Sequence, residues 1–511
     1  MAYGANITEP IVTTIGNPVN NQTYAATTVA YDISIGGQPF FLLNDDNSPY
    51  RRVTAQYRKQ QIDQSREPGE QTLTGWWLRS QSSFHLGQGI KFFEPAQDES
   101  LRFQYTYSKG CDVWTKGQVT LLSDTFTTHY TTGQIKSNTR PNQYARSIRW
   151  SGTDGILLHD EYDLDKIAVD GTLTHFQDYT SGTDDPVYAV CDDGVYAYWV
   201  TNDTASGKLE FNKKILTADT STAPTVMFTQ PGITVTNAVL EYTKERIVAA
   251  INNKIYEIST GATTLPSAVY THPDSDVVFT SITSSGAAIY VSAFSGIQSN
   301  IYKFTLASNG TMPTLTSAIT AAEMPVGEKI YRISYYLGYM GIGTSQGLRV
   351  AAVSDTDGSI SYGPLLFESE QAVYDVCFRD KYLWCTTNVD GNPGLTRVDL
   401  GQQIGNNLVF AYAWDLYDPD TTGRTTTACA FAGYTTQIIF TTAKTTTNGS
   451  IYIQHATNLI ESGILRTGYV RYNTLENKIF KYVVPRFDTT DGGLTSLALN
   501  MDLVPIHKDL R

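Results

Sequence analysis

The chain has 511 residues, which is long for one ordinary hydrophobic core, so we expect two or three domains or one large repeat array. Hydrophobic residues make up 41% and charged residues only 17%, a composition that argues against a disordered chain. The net charge of −13 argues against a nucleic-acid partner, because phosphate-binding surfaces are basic.

The N-terminal residues MAYGANITEPIVTT lack the basic and apolar regions of a signal peptide, so no export signal is expected. No stretch approaches the ~20 apolar residues of a membrane span, which predicts no membrane insertion.

Residues 50–66 form the one predicted helix; it is polar on most faces and needs a partner to become ordered. Short runs rich in Val, Ile, Thr, Tyr and Phe predict an all-β chain elsewhere.

Residues 1–140 do not repeat, and we interpret them as a β-rich anchoring lobe that docks on the rest of the chain or on a neighbouring subunit. Within it, residues 50–95 are the predicted interface segment. Aromatic and arginine side chains carry much of the binding energy of protein interfaces, and the densest such cluster is Trp76, Trp77, Arg79, Gln81, Phe84 and His85. Adjacent strand residues face opposite sides, so at least one tryptophan ring should point away from a local core. The alternative is that both rings cap a small core.

From residue 145 a pattern of short strands and turns recurs. Its copies begin at Ala145, Val187, Asn237, Phe279, Tyr331, Val373 and Thr427. The mean spacing of about 47 residues suits four antiparallel strands, the size of a β-propeller blade. Each blade is apolar on both faces and buries them only by stacking in a ring. The sequence therefore predicts a β-propeller of about seven four-stranded blades over 141–462, with six or eight blades as alternatives.

Residues 463–511 alternate in polarity and are predicted to close the propeller with outer strands or to lead into a further domain. The chain ends soon after an apolar run, which suggests that the native chain continues. An intact mass near 56.4 kDa for native material would contradict that hypothesis.

Few sequence motifs suggest a catalytic or metal-binding site. GTSQG at 343–347 matches the GxSxG nucleophile elbow, but it lies between two predicted strands, so Ser345 is assigned to a hairpin turn. The seven histidines have no metal-binding spacing. The five cysteines are scattered and have no CxxC pair, which fits buried free thiols in a reducing cytoplasm.

Two acidic clusters offer candidate calcium ligands, because Ca²⁺ prefers several carboxylates in one turn. One lies at 160–165 and contains Asp163 and Asp165, and the other lies at 415–420 and contains Asp418 and Asp420. Neither has EF-hand spacing, so both are predicted to be solvated loops rather than metal sites. No cofactor is expected.

Two stretches of the chain resemble segments of a known family. WWLRSQSSFHLGQGIKFFEP (76–95) resembles a motif of minor tail proteins from siphophages that infect actinobacteria, and Gly87, Gly89, Glu94 and Pro95 are among the matching residues. ESGILRTGYVRYNTLENKIFKYVVPRF (461–487) resembles the segment that follows the repeats in such proteins. The resemblance implies a virion protein of the tail tip or baseplate that has a propeller and no catalytic activity.

We therefore expect a non-enzymatic virion structural protein, assembled in the host cytoplasm, that acts as a scaffold and host-contact adaptor. Its expected partners are hub and distal-tail proteins and further copies of itself, three or a multiple of three by analogy with tail symmetry. The alternative is a propeller that binds or degrades host cell-wall glycan. A SDTDGSISY stretch from Ser354 departs from the repeated turn of sialidase propellers, which weakens the degrading version. A cellular propeller scaffold is a third possibility.

Overall fold

The structure is a computed structural model in which all regular elements of the described residues are β-strands. It describes residues 33–35, 38–45, 48–56, 81, 83–90, 92–93, 103–129, 145–159, 162–179, 186–203, 207–286, 288–307, 310–315, 318–405, 407–418, 424–444 and 449–470. These residues contain no helix that is long and apolar enough to cross a membrane. The chain divides into two compact units, one of residues 1–79 with 471–511 and one of residues 80–470.

The described part of the first unit is an antiparallel sheet of three strands, β1 (Ile33–Ile35), β2 (Gln38–Asp45) and β3 (Ser48–Gln56). The helix predicted for residues 50–66 is therefore wrong over its first part, and residues 57–66 lie outside the described residues. The segment SPYRRVTAQ has the β-branched and aromatic residues that favour a strand. The strand QPFFLLND precedes it in the sequence and pairs antiparallel with it, whereas a polar helix would lack a partner.

The second unit contains seven four-stranded antiparallel sheets, which are the blades of a β-propeller. Blade one has β9 (Ala145–Trp150), β10 (Thr153–His159), β11 (Asp163–Ala168) and β12 (Leu173–Asp178); blade two has β13 (Val187–Asp192), β14 (Tyr196–Asp203), β15 (Lys208–Ile215) and β16 (Thr225–Pro231). Blade three has β17 (Ala238–Thr243), β18 (Arg246–Ile251), β19 (Lys254–Ile258) and β20 (Tyr270–Thr271); blade four has β21 (Val278–Ser284), β22 (Ala288–Ser295), β23 (Gln298–Thr305) and β24 (Ile319–Glu323). Blade five has β25 (Ile330–Tyr336), β26 (Tyr339–Thr344), β27 (Gly347–Val353) and β28 (Ile360–Glu368); blade six has β29 (Val376–Arg379), β30 (Tyr382–Val389), β31 (Asn392–Gln403) and β32 (Phe410–Tyr417).

Blade seven is assembled from two distant parts of the chain. Its strands are β33 (Arg424–Phe431), β34 (Ile438–Lys444), β35 (Ser450–Leu459) and, as the outer strand, β8 (Ser123–His129). The pairing of His129 with Ser450 joins the residues before blade one to the last blade. The ring is therefore closed by hydrogen bonds between its two ends.

The predicted propeller is confirmed, and the seven predicted repeat copies correspond to the seven blades. The first strands of blades one and two begin at Ala145 and Val187, as predicted, and the others begin within three residues of the predicted starts. From blade two onward the first strand of each blade contacts the first strand of the next, and β33 contacts β9. Seven apolar clusters lie between the seven pairs of adjacent blades. Each blade thus buries both faces against its neighbours.

Residues before and after the ring pair with each other. The remaining strands are β4 (Phe92–Phe93), β5 (Tyr107–Lys109), β6 (Cys111–Asp112), β7 (Thr120–Leu121), β36 (Ile464–Arg466) and β37 (Tyr469–Val470). β36 pairs antiparallel with β5, and β37 pairs parallel with β4. The domain limits expected from the sequence, 1–140, 141–462 and 463–511, thus differ from the compact unit 80–470. The described part of the tail pairs with 92–93 and 107–109 and does not supply an outer blade strand.

Candidate functional site

A docked segment, consisting of the described residues 81, 83–90 and 103–114, packs on blade six. Its closest approach is at Gly87, where a Cβ atom would lie 2.6 Å from the backbone nitrogen of Tyr412 and closer still to the carbonyl oxygen of that residue. The next residue, Gln88, donates its backbone N–H to the same carbonyl oxygen at 2.7 Å. Two backbones touch here without a side chain between them, which only glycine permits.

An apolar cluster also joins the docked segment to blade six. It joins Tyr105, Cys111, Val113 and Trp114 of the segment to Ala411 and Ala413 of β32. The Tyr105 side chain is fully buried, and its hydroxyl bonds the Ser108 hydroxyl at 2.9 Å. The segment is therefore a packed part of the propeller body.

Arg397, on β31, connects the segment to blade six. Its Nη2 lies 3.3 Å from a carboxylate oxygen of Asp112 in the segment, and its Nε donates to Asp415 of β32. The guanidinium lies 5.2 Å from the ring centroid of Trp384 and 5.4 Å from that of Trp114, within the range of cation–π attraction. Burial raises the pKa of Asp415, and the adjacent Arg397 opposes that shift.

The structure describes three of the six residues that were predicted to form an interface. Trp76, Trp77 and Arg79 lie outside the described residues. Gln81 donates to the carbonyl of Gln104 at 3.0 Å, and the Phe84 ring meets the Tyr105 ring edge-on at 5.9 Å. The Nδ1 of His85 bonds the Ser83 hydroxyl at 2.6 Å, and burial lowers the pKa of this half-buried imidazole. These three side chains contact their own chain.

The contact at Gly87 leads to a stability prediction. Gly87→Ala is expected to destabilise the protein by about 3 kcal/mol, because a methyl group must fit against the Tyr412 backbone at a φ of +74°. Gly152→Ala is the matched control: its φ is +81° with nothing within 4 Å of the added Cβ, so we expect only about 1 kcal/mol. Urea unfolding measures both, and limited proteolysis should show faster cleavage within 81–122 only for Gly87→Ala. Equal losses for the two variants would contradict the packing argument.

Charged side chains of the first strands face one another across the centre of the ring. Arg146 of blade one forms two parallel hydrogen bonds to Glu241 of blade three, at 2.7 and 2.8 Å. Its Nε donates to Asp192 of blade two at 3.3 Å. One arginine thus links three blades, and bidentate pairs of this kind are the strongest ionic hydrogen bonds.

A second central pair joins blades five and six. Nε of Arg332 lies 3.2 Å from Oδ1 of Asp375, whose side chain is 1% exposed. The other carboxylate oxygen accepts the backbone N–H of Cys429 in blade seven at 3.0 Å. Burial raises the pKa of Asp375 to about 6, and Arg332 opposes the shift. Asp375 therefore connects three blades on the other side of the ring.

The first acidic cluster includes a histidine that sequence reasoning did not select. Nδ1 of His175 lies 2.7 Å from Oδ1 of buried Asp165 and 3.5 Å from Oδ1 of exposed Asp178. His175 pairs with Asp165 and Asp178 pairs with Asp163, and the extra residue Phe176 at a β-bulge places all four side chains on the same face of the sheet. Donor atoms of Asp165, His175 and Asp178 lie within 4.8 Å of one another and could hold a divalent cation.

The same geometry predicts a pH dependence. The hydrogen bond to Asp165 raises the pKa of His175 from 6.5 to about 9, and Asp178 and Asp163 add to that shift. The ion pair should therefore contribute stability fully below pH 6.5 and lose it as the pH rises through about 9. Because His175 is 43% exposed, we expect about 1 kcal/mol. NMR titration of the imidazole checks the pKa, and His175→Gln should remove this stability change; titration near 6.5 would contradict the ion pair.

In the second acidic cluster, Asp418 is bound by side chains of the protein. Asp418 is fully buried and accepts hydrogen bonds from Arg424 at 3.2 Å, from Thr442 at 3.0 Å and from the Tyr452 hydroxyl. Asp420 lies outside the described residues. Asp418 thus joins blade six to blade seven through protein donors.

Ser345 of the GTSQG sequence lies in the turn between β26 and β27, the hairpin expected from the sequence. Its hydroxyl oxygen accepts the backbone N–H of Lys329 at 3.0 Å.

No protein-family model and no curated protein matches the chain. Among solved structures, it is similar to Raptor from Chaetomium thermophilum, with 11% identity and a TM-score of 0.41, over 65% of this chain and 30% of that one. The Dos1 propeller has 8% identity and a TM-score of 0.40, over 62% and 78%. A streptogramin B lyase has 12% identity and a TM-score of 0.43, over 65% and 98%. The chain therefore spans less than a third of the Raptor chain, and these likenesses concern the fold alone.

Proposed function

We propose that the protein is a structural component of a bacteriophage tail, located at the tip or baseplate, where it acts as a scaffold and host-contact adaptor without catalytic activity. The proposed partners are hub and distal-tail proteins and further copies of this chain.

One observation carries the proposal. The described parts of the two segments that resemble siphophage minor tail proteins are neighbours, because Tyr469 and Val470 pair with Phe92 and Phe93. Gly87, one of the residues that fit the resembling motif, is required by the contact with Tyr412. In the described residues, the resemblance therefore falls on two stretches that pair with each other and pack on blade six.

The composition supports the same function. The chain contains 33 tyrosines and few charged residues. Tyrosine gives a large contact area while its hydroxyl remains hydrogen-bonded at a partly wet surface, a property that suits repeated protein–protein contacts in an assembly.

Mass spectrometry and cryo-electron microscopy of purified virions that carry this gene test the proposal. We expect the chain in several copies, with ring-shaped density at the distal end of the tail. Its absence from virions, or its presence in the host-cell fraction alone, would reject the proposal and favour a cellular scaffold.

Glycan binding is the second candidate, and three half-buried aromatic rings that contact one another in a row favour it. The Phe294 and Tyr331 ring centroids are 6.4 Å apart, and those of Tyr331 and Tyr374 are 5.1 Å apart. Sugars bind such surfaces through stacking and hydroxyl hydrogen bonds. We expect Tyr374→Ala to weaken co-sedimentation with host cell-wall glycan about tenfold, and Tyr434→Ala, whose ring is 74% exposed elsewhere, to leave it unchanged. Sustained release of reducing ends would instead show a glycan-degrading enzyme.

A further inference from the structure

Two cysteines meet at the boundary between blades six and seven. Cys377 lies on β29 and Cys429 on β33, the innermost strands of these blades. Their Sγ atoms are 3.6 Å apart. A disulfide bond measures about 2.05 Å, so the two sulfur atoms need to approach by only about 1.5 Å to become bonded.

The backbone around the two thiols is held by hydrogen bonds across the same boundary. Besides the bond from Cys429 N–H to Asp375, the Gln371 side chain donates to the Thr426 carbonyl at 3.1 Å and accepts the Thr426 N–H at 3.2 Å. The Thr426 hydroxyl also donates to the Thr387 carbonyl at 3.2 Å. These contacts keep the thiols facing each other, so little ordering is needed before they react.

The two thiols differ in access to solvent. Cys429 is 1% exposed, and burial raises the pKa of its thiol well above the usual value. Cys377 is partly exposed, whereas Cys111, Cys191 and Cys385 are all buried. An oxidant therefore reaches Cys377 more readily than any other thiol of the chain.

We propose that Cys377 and Cys429 are an oxidation-sensitive pair that forms a disulfide between blades six and seven. Peroxide oxidises the Cys377 thiol to a sulfenic acid and releases one water. The Cys429 sulfur then attacks the Cys377 sulfur, the S–S bond forms, and the sulfenic hydroxyl leaves with the Cys429 proton as a second water. In total, two thiols and one hydrogen peroxide give one disulfide and two waters.

The bond would tie the innermost strand of blade seven, the blade that closes the ring, to the innermost strand of blade six. It also closes a loop of 52 residues, which restricts the unfolded chain. The pair stays reduced in a cytoplasm and becomes bonded in an oxidising medium.

Peptide mapping of the intact full-length chain tests the proposal. Purified reduced protein is treated with hydrogen peroxide, free thiols are alkylated under denaturing conditions, and the digest is analysed without reductant. We expect a linked peptide pair that contains Cys377 and Cys429, a loss of 2 Da, reversal by dithiothreitol and a rise in Tm of roughly 3 °C or more.

Variants sharpen the test. Cys377→Ser should lose the linked peptides and the rise in Tm, whereas Cys191→Ser, at a buried thiol of blade two, should keep both. The mapping of the unmodified chain does not depend on whether a variant folds. Full alkylation of both thiols after peroxide, overoxidation of Cys377 without a bond, or linkage of either thiol to another cysteine would each overturn the proposal.

Discussion

Arg397→Met is expected to destabilise the protein by about 3–5 kcal/mol, because it leaves the carboxylate of Asp415 buried without its cation. It also removes the bond to Asp112 and the cation–π contact with Trp114, which hold the docked segment. Urea unfolding should show the loss, and limited proteolysis should show earlier cleavage within 81–122 than in the unmodified protein.

Two further variants separate charge from packing. Arg149→Met removes an arginine that is 52% exposed, and we expect it to change stability by less than about 0.5 kcal/mol. Combining Arg397→Met with Asp415→Leu should restore part of the loss, since a buried ion pair is often replaceable by apolar residues. If the double variant is less stable than Arg397→Met alone, the unpaired carboxylate is not the cause.

Arg146→Met is the second change with a large expected effect, about 3–5 kcal/mol, because Glu241 and Asp192 lose their common partner at the centre of the ring. Burial already raises the pKa of Asp192, and the loss of Arg146 raises it further. A carboxyl with a raised folded-state pKa favours folding more as the pH falls, so the deficit of the variant should shrink from neutral pH toward about pH 4.

Chemical unfolding at several pH values measures this effect. Lys254→Met, at an exposed position of blade three, is the control and should stay within about 0.5 kcal/mol of the unmodified protein at every pH. A deficit of Arg146→Met that does not change with pH would show that lost packing, rather than unpaired charge, is responsible.

The propeller was predictable from sequence because its blades are local. Consecutive strands of one blade pair through short turns, so apolar strands separated by Gly, Asn and Asp repeat in the sequence itself. The first strands at Ala145 and Val187 could be located to the residue. The predicted helix failed because residues 50–56 were judged without β2, the strand that pairs with them.

Features that depend on distant residues could not be predicted. β8 has no local signal of its role, because its partner lies more than 300 residues later. The Asp165–His175–Asp178 group depends on one extra residue at a bulge, which changes the side that a side chain faces and cannot be read from alternation. The central arginine pairs join side chains of different blades that are far apart in the sequence, and the repeat pattern does not show which of these side chains meet.

The closing of blade seven by β8 has a consequence for biosynthesis. A ribosome makes Ser123–His129 more than 300 residues before Ser450–Leu459, so β8 must remain without its hydrogen-bonding neighbour β35 while six blades are made. Unpaired strand edges are prone to aggregate, and pairings between remote residues form slowly. The slowest productive event in the folding of the propeller should thus be the pairing of β8 with β35.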